Sequence, residues 1–501
     1  KMKIKIIFLP FIFSATTVFC QTQWMKYANN PVFTKGTSNW DIIAVGQPTC
    51  IIENDTIKMW YVAVGNDMKA RISYAWSLNG INWTKYNNAS PVLDVGTSGQ
   101  WDDKWLDAPE ILKSTSGYFL YYGGDTAQQS PDISSAYGVA TSADGINWTR
   151  YSGNPVLQKG GPSDFDGGWL ESPAAYFNPD DSTYMLWYSG KHASNWIIKN
   201  GLATSVDGLS WTKYPNNPVT DVGASGSFDD MWVVVPAVIK TDDVFEMWYC
   251  GFSSSAGFDT VRIGYAVSLD GIRWIKYPNN PVYSRFYTPF NTSNDNDGPW
   301  APDVVFNKQT SEYMMWYEGT SGFQLATSPR NILFSSNCIV TASNDTMITS
   351  NDTISLFASG GIYYQWNPTY GLNNPNIANP IASPDSTTIY TVLAVSNNCI
   401  TTDTVKITVT PSMVVQNISK GNLFDIFPNP AANTVSLRIT NTLVNGHGYE
   451  LKIFDMIGSV VFQKTSNLKP QILNLDLPNG IYFLQIKSDD FIQTKKIEII
   501  R

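Results

Sequence analysis

A hairpin unit that recurs along residues 24–328 constrains the fold more than any other feature of this sequence. Four copies read "SYAWSLNGINWTKYNNASPV", "GVATSADGINWTRYSGNPV", "GLATSVDGLSWTKYPNNPV" and "GYAVSLDGIRWIKYPNNPV". Each places Asn-Gly or Asp-Gly between two alternating strands, which is the strongest short-range signal for a β-hairpin. The Trp after each turn recurs at spacings of 65, 63 and 63 residues, at Trp83, Trp148, Trp211 and Trp274. The sequence therefore predicts a repeat architecture made of β-hairpins.

Two further units complete the repeat. One is an apolar strand found in five copies, "IKMWYVAVG", "YFLYYGG", "YMLWYSG", "FEMWYCG" and "YMMWYEG". The other is a strand marked by a proline, at Pro48, Pro109, Pro173, Pro236 and Pro302. About four strands in roughly 63 residues is the content of one propeller blade. The fifth hairpin is split, with "FQLATSPRN" near Phe323 and "WMKYANNPVF" near Trp24. Joining them closes a five-bladed ring and removes an exposed sheet edge.

Composition supports an all-β chain and excludes some partners. Charged residues make up only 15% of the 501 residues and aromatic residues 14%, with short apolar runs between turn residues. The net charge of −9 argues against nucleic acid as a partner, because phosphates require a basic surface. No apolar run after the N-terminus approaches the ~18 residues of a membrane span, so none is expected in the mature chain.

The N-terminus resembles an export signal. Lys1, Lys3 and Lys5 precede an apolar stretch from Ile6 to Phe13. This pattern predicts a signal peptide over residues 1–20, cleaved after Cys20. Acylation of Cys20, as in a lipoprotein, is the alternative, although the bulky Phe19 disfavours it. Either outcome predicts a secreted or surface-attached protein.

The repeats resemble the five-bladed propeller glycosidases, which include arabinanases, xylosidases, invertase-like enzymes and glycoside hydrolase family 43. The resemblance rests on "S-x-D-G-x-x-W-x-K-Y-x-x-N-P-V" with "M-W-Y-x-G" strands and covers about 305 residues, within a predicted propeller at 21–334. It implies acid/base hydrolysis of glycosidic bonds in polysaccharide or oligosaccharide, without a cofactor. A propeller that only binds carbohydrate or protein at the cell surface is the alternative.

Comparison of the repeats with one another separates structural from functional positions. Seven residues before each marker proline stands an Asp: Asp41, Asp102, Asp166, Asp229 and Asp295. A residue present in every copy is expected to build the blade. Two residues before the proline the copies differ: Gly46, Asp107, Glu171, Val234 and Trp300. We expect this variable column to face the central funnel.

The resemblance implies a role for each carboxylate of the variable column. Glu171 matches the general acid, and Asp107 matches the residue that orients it and raises its pKa. Gly46 stands where the family has its base, so a complete catalytic set is not visible. Asp41 is the nearest alternative base, although it belongs to the repeated set. The other interpretation places polar residues on a solvated funnel wall.

Aromatic side chains near this column are candidates for stacking on sugar rings. Trp105, Trp169 and Trp232 precede it by two residues and share its strand face, and Trp300 lies within it. Packing between blades is the alternative role for these side chains. No metal site is predicted, since the chain has only two His, at His192 and His447.

Two smaller modules follow the propeller. Residues 335–411, with Trp366 between alternating strands, predict an Ig-like spacer in which Cys338 and Cys399 are candidates for a disulfide. A linker at 412–423 leads to residues 424–501, which contain "IFPNPAANTVSLRI" and "LPNGIYFLQIKSDDFIQTKKIEII". This segment resembles the type A sorting domain of the Bacteroidetes type IX secretion system. The resemblance implies the secretion machinery as a partner.

Overall fold

The computed structural model describes residues 24–125, 136–253, 261–284, 298–330, 339–397, 399–410, 424–439, 449–466, 471–487 and 492–501. These residues form β-strands and connecting turns, with a single four-residue 3₁₀ turn at Tyr86–Ala89 among them. The all-β expectation is confirmed. In the described part of the chain, no helix is long and apolar enough to span a membrane. The predicted signal peptide, the linker and Asp295 lie outside the described residues.

The repeat region is built from short antiparallel strands. These are β1 (Met25–Lys26), β2 (Ala44–Glu53), β3 (Thr56–Val64), β4 (Ala70–Ser77), β5 (Trp83–Lys85), β6 (Trp105–Ser114), β7 (Gly117–Asp125), β8 (Ala136–Ser142), β9 (Thr149–Arg150), β10 (Leu157–Gln158), β11 (Trp169–Asn178), β12 (Thr183–Lys191), β13 (Ile198–Ser205), β14 (Thr212–Lys213), β15 (Trp232–Thr241), β16 (Val244–Phe252), β17 (Arg262–Ser268), β18 (Ile275–Lys276), β19 (Trp300–Asn307), β20 (Glu312–Gly319) and β21 (Gly322–Pro329).

The strands of each repeat pair in sequence order. In the first repeat β2 pairs with β3, β3 with β4, and β4 with β5, all antiparallel. The same order recurs in β6 to β9, β11 to β14 and β15 to β18. The first strands of the repeats, β2, β6, β11, β15 and β19, each contact the next, and β19 returns to β2. These five strands therefore surround a common axis.

The split hairpin closes the ring as predicted. In the last repeat β19, β20 and β21 are completed by β1, where Met25 pairs with Thr327 and Lys26 with Ala326. The Asn30 side chain extends this pairing, because its amide donates to the Leu325 carbonyl at 2.9 Å and accepts from the Leu325 N–H at 2.8 Å. The N-terminal segment therefore supplies hydrogen bonds that β21 would otherwise lack.

Hydrogen bonds from the "W-Y-x-G" strands to the hairpin glycines tie neighbouring repeats together. The Trp60 indole donates to the Gly145 carbonyl at 2.8 Å, and Trp187 donates to Gly271 at 2.7 Å. The glycines have positive φ, as this turn requires, and a Cβ on Gly145 would lie 2.8 Å from the Trp60 ring. The turn and the tie thus both require glycine.

The last repeat, whose hairpin is split, has no such glycine turn. The contact that joins it to the preceding repeat is therefore different. The Trp248 indole nitrogen is buried with no hydrogen-bond partner in the described part of the chain. Instead the Trp24 ring packs edge-on against Trp248, with ring centroids 6.1 Å apart. At this joint apolar packing therefore takes the place of the hydrogen bond.

The remaining strands lie C-terminal to the repeats. They are β22 (Thr341–Ala342), β23 (Thr346–Thr349), β24 (Ile354–Ser355), β25 (Ala358–Ser359), β26 (Tyr363–Asn367), β27 (Ile381–Ala382), β28 (Thr388–Ser396), β29 (Cys399–Thr410), β30 (Phe424–Phe427), β31 (Thr434–Ile439), β32 (Tyr449–Phe454), β33 (Val460–Ser466), β34 (Gln471–Asn474), β35 (Gly480–Lys487) and β36 (Ile492–Ile499).

The chain divides into two compact units that do not follow the predicted spacer boundary. The first comprises Lys1–Thr341, Ala358–Asn367 and Val392–Asp403, and the second comprises Ala342–Phe357, Pro368–Thr391 and Thr404–Arg501. Within the first unit the Gln365 side chain accepts a hydrogen bond from the Leu269 N–H at 2.6 Å. Leu393 and Val395 also join the core of the last two repeats. These side chains of the spacer sequence thus pack against the last two repeats.

The last 78 residues contain two small sheets. One has the order β30-β31-β34 and the other β33-β32-β35-β36. Their shared core uses side chains of this segment alone, among them Phe424, Leu451, Leu484 and Ile497. Residues 424–501 thus have a core of their own, as a sandwich requires.

The cysteines separate into two groups. Cys50 and Cys250 are free and buried, and a buried free Cys behaves as a small apolar residue. Cys399 is disulfide-bonded. Its predicted partner, Cys338, lies outside the described residues.

Candidate active site

The first strand of every repeat carries a β-bulge immediately before its marker proline. The residue between the variable column and the proline is left-handed in each repeat, although none is glycine. The φ values run from 41° to 54°, at Gln47, Ala108, Ser172, Val235 and Ala301. Each such residue costs about 1–2 kcal/mol, so the surrounding fold must enforce the conformation. A bulge re-aims its neighbouring side chain, and here it gives the variable column an equivalent position in every repeat.

The structure brings the two predicted carboxylates of this column into one neighbourhood. Asp107 and Glu171 are both buried, at 3% and 6% exposure, on the adjacent strands β6 and β11. They lie within electrostatic reach of the Tyr137 phenol, whose pKa is raised first by burial and then by these two carboxylates. The Tyr137 hydroxyl has no hydrogen-bond partner among the described residues.

Asp41 has the partners of a structural residue. Its carboxylate is fully buried, pairs with the Lys85 ammonium at 2.5 Å and accepts from the Ser38 hydroxyl at 2.6 Å. The equivalent positions make the same kind of ion pair, which joins the strand entry to the hairpin that follows: Asp102 with Arg150, Asp166 with Lys213 and Asp229 with Lys276. Because the repeat already accounts for this carboxylate, the structure gives Asp41 no separate place in the variable column.

The four predicted tryptophans are half-buried near the column. Trp169 packs edge-on against Trp196, with centroids 5.6 Å apart, and the Lys191 ammonium lies 4.4 Å from the Trp169 centroid. Trp232 packs on Phe252 at 4.5 Å, and its indole donates to the Trp196 carbonyl at 2.7 Å. The remaining two, Trp105 and Trp300, each pack beside a small apolar cluster. Each ring is thus partly exposed and partly packed against its neighbours.

Three residues near the column were not identified from sequence. Trp196 is 57% exposed on the loop after β12, and burial lowers the pKa of Lys191 beside it. Glu318 occupies the variable position of "W-Y-x-G" in β20, and its carboxylate lies against Gly46. Its four counterparts are Val62, Gly123, Ser189 and Cys250. Comparison of the repeats at this second variable position would have identified Glu318.

A sizeable cavity lies elsewhere, near the opposite ends of the first strands. It has a volume of about 670 Å³ and its lining includes Glu53, Glu110, Asp303 and Arg330. Glu110 accepts a hydrogen bond from the Ala175 N–H, and Asp303 accepts one from the Cys50 N–H, both at 2.8 Å. These acids tie adjacent strands, so we place the candidate chemistry at the bulged ends instead. Among the described residues no group of three His, Cys, Asp or Glu side chains could hold a metal ion.

The buried Asp303 carboxyl group should make the stability of the protein depend on pH. Burial raises its pKa to about 7, and burial followed by the Asp303 charge raises that of Glu110. The folded state thus holds a proton that the unfolded chain releases above about pH 4. The free energy of unfolding should therefore fall as pH rises from about 4 to about 7. Denaturant titrations across this range should show a flatter profile for Asp303→Asn. The exposed Asp180→Asn is the matched control, and an unchanged profile for Asp303→Asn would contradict the prediction.

Comparison with known proteins supports both the sorting segment and the propeller fold. Residues 425–500 match the family model described as the secretion system C-terminal sorting domain, which confirms the predicted sorting segment. A glycosyl hydrolase from Bacteroides ovatus is 17% identical, with a TM-score of 0.51 over 62% of this chain and 95% of that one. A structure described for the GH130 family of mannoside phosphorylases is 19% identical, with a TM-score of 0.50 over 62% and 95%. The fold is that of glycosidase-like propellers.

An uncharacterized protein of Mycobacterium tuberculosis strain CDC 1551 also matches, at 28% identity over 195 residues. The match covers 37% of this chain and 59% of that protein. The chain thus matches less than two thirds of the length of this curated relative.

Proposed function

We propose that the propeller is an exported glycosidase that cleaves oligosaccharide or polysaccharide by acid/base hydrolysis. The observation that carries this proposal is that two buried carboxylates, Asp107 and Glu171, lie at the bulged ends of two contacting strands, beside half-buried tryptophans. The glycosidase-like fold, and the GH130 structure described with hydrolases that target β-1,2 mannosidic linkages, support this class of substrate.

Glu171 is the proton donor in this proposal, and Asp107 orients it. Breaking a glycosidic bond requires a proton on the leaving oxygen and a second carboxylate for water or sugar. Trp169 lies two residues before Glu171 on the same strand and is placed to stack on the sugar ring. The decisive test is a screen of the purified protein against arabinan, xylan, fructan, galactan and mannan fragments. Release of reducing ends supports the proposal.

A binding propeller is the second candidate, because Gly46 leaves the first repeat without a carboxylate in the variable column. It predicts that the same fragments are retained without cleavage. Calorimetry on any fragment that is not cleaved separates this outcome from the absence of a carbohydrate site.

We further propose that the sorting domain directs export through the type IX system to the cell surface or medium. Deletion of Phe424–Arg501 is expected to abolish surface delivery and leave a folded propeller in the periplasm, since the segment has its own core. Cell fractionation and protease accessibility would measure this. Fusing the segment to a periplasmic reporter is the matched control. Normal surface levels of the truncated protein would contradict the prediction.

A further inference from the structure

Gly46 has no side chain, and the space beside its Cα is occupied by the side chain of another residue. A Cβ built on Gly46 would lie 2.2 Å from Glu318 Oε1 and 3.3 Å from its carboxyl carbon. The Glu318 carboxylate thus occupies the place where a side chain of residue 46 would begin. Glu318 lies on β20 of the last repeat, whereas Gly46 lies on β2 of the first. The carboxylate missing from one strand is supplied by the neighbouring repeat.

Two contacts place this carboxylate at the bulged strand ends. The Gln47 N–H donates to Glu318 Oε1 at 2.5 Å, from the left-handed residue beside the variable column. Glu318 also pairs directly across the sheet with Trp300, which belongs to that column. Directly opposed residues share one face of a sheet, so Glu318 and Trp300 are neighbours on that face. Glu318 is half-buried.

Glu318 belongs to the same electrostatic neighbourhood as Glu171. The Cys250 thiol is fully buried, and its pKa is raised first by burial and further by the charges of Glu171 and Glu318. The Tyr137 phenol is likewise affected by Asp107 and Glu171. The Cys250 thiol thus lies within electrostatic range of both Glu171 and Glu318.

We propose that Glu318 is the second catalytic carboxylate of this site, acting as general base in place of the side chain that Gly46 lacks. The inference rests on the proposed glycosidase function. Glu318 takes a proton from a water molecule as the water oxygen bonds to the anomeric carbon. The glycosidic carbon–oxygen bond breaks, and Glu171 gives its proton to the leaving oxygen. Solvent then returns a proton to Glu171 and removes one from Glu318.

A purely structural role would explain one of these contacts. In an equivalent position the Ser189 hydroxyl accepts a hydrogen bond from the Val235 N–H at 2.9 Å, which ties two repeats. The Glu318–Gln47 bond is the same tie between the last repeat and the first. Glu318→Gln separates the two roles, because an amide oxygen still accepts from Gln47 but cannot take a proton from water.

The first test compares the kinetics and melting temperature of Glu318→Gln with wild type. A general base contributes about 10²–10⁴-fold, so kcat should fall by that factor, while KM stays within about threefold. The melting temperature should be nearly unchanged. Glu312→Gln, the same substitution at the first residue of β20, is the matched control and should leave kcat within about threefold.

The second test moves the carboxylate back to the first repeat. Gly46→Asp alone should lose part of its stability, because its Cβ would displace the Glu318 carboxylate from its bond to Gln47 and place two carboxylates side by side. Combined with Glu318→Gly, which copies Gly123 of the second repeat, it should recover stability. The double variant should also hydrolyse at least about tenfold faster than Glu318→Gly alone.

The outcomes separate this inference from the proposed function. If wild type cleaves glycans and Glu318→Gln retains kcat within threefold, Glu318 is only a structural tie. In that case the inference fails and the proposed function stands. The inference also fails, with the proposed function intact, if the double variant recovers stability without any gain in rate over Glu318→Gly. If wild type cleaves none of the fragments, the proposed function and the inference both fail.

Discussion

Glu171→Gln is expected to lower kcat for glycoside hydrolysis by about 10²–10⁴-fold, with folding and oligosaccharide binding nearly intact. Gln keeps the shape and most hydrogen bonds of Glu, but it cannot donate a proton to the leaving oxygen. The side chain is 6% exposed and lies on β11, so an isosteric change leaves no cavity. Initial rates on any cleaved fragment, with calorimetry on the same fragment, would measure both effects.

Three comparators sharpen this prediction. Glu110→Gln alters another acid of the first strands, one that lines the opposite cavity, and should leave kcat within about threefold. Asp166→Asn should mainly lower stability, because it weakens the buried ion pair with Lys213. Asp107→Asn should slow the reaction by removing the anion that orients Glu171. A Glu171→Gln variant as fast as wild type would refute the assignment of the acid.

Deleting residues 24–33 is expected to unfold the propeller at temperatures where the intact unit is stable. The segment buries Trp24, which packs on Trp248, and Phe33, which stacks on Phe323 at 5.2 Å. Loss of one buried Trp or Phe side chain typically costs about 3–5 kcal/mol. Two such losses approach the ~5–15 kcal/mol that stabilises a whole domain. The β1 hydrogen bonds would be lost as well, which exposes β21 as an open edge.

The matching experiment is thermal melting of the protein with and without the segment. Met25→Ala, a change in the same segment at a side chain that is 55% exposed, is the control, and it should shift the melting temperature far less. Trp24→Ala and Phe33→Ala should each produce part of the effect. If the deletion melts with the intact protein, the ring does not depend on this closure.

The repeated motifs made most of the fold predictable. "S-x-D-G" specifies a turn through local bonds, in which the Ser142 hydroxyl accepts from the Gly145 N–H at 2.9 Å. Such contacts involve residues three positions apart, so the pattern in the sequence suffices. The split hairpin was also predictable, because its two halves carry the same residues as the intact copies.

The boundary between propeller and spacer was not predictable in the same way. The composition changes near Ser335, yet Gln365 and Val395 belong to the propeller unit in space. The bond from Leu269 to Gln365 joins residues 96 positions apart. No local pattern in either segment reports a contact of that range.

By itself, the sequence determined the β-repeat, the closure of its ends, the sorting segment and the variable column with Asp107 and Glu171. These follow from local hydrogen bonding, strand periodicity and differences between copies at one position. Only the tertiary structure decided that Asp41 is tied to Lys85 and that the Glu318 carboxylate lies beside Gly46. Residues 46 and 318 are far apart in the chain and become neighbours because closure of the ring brings the last repeat against the first.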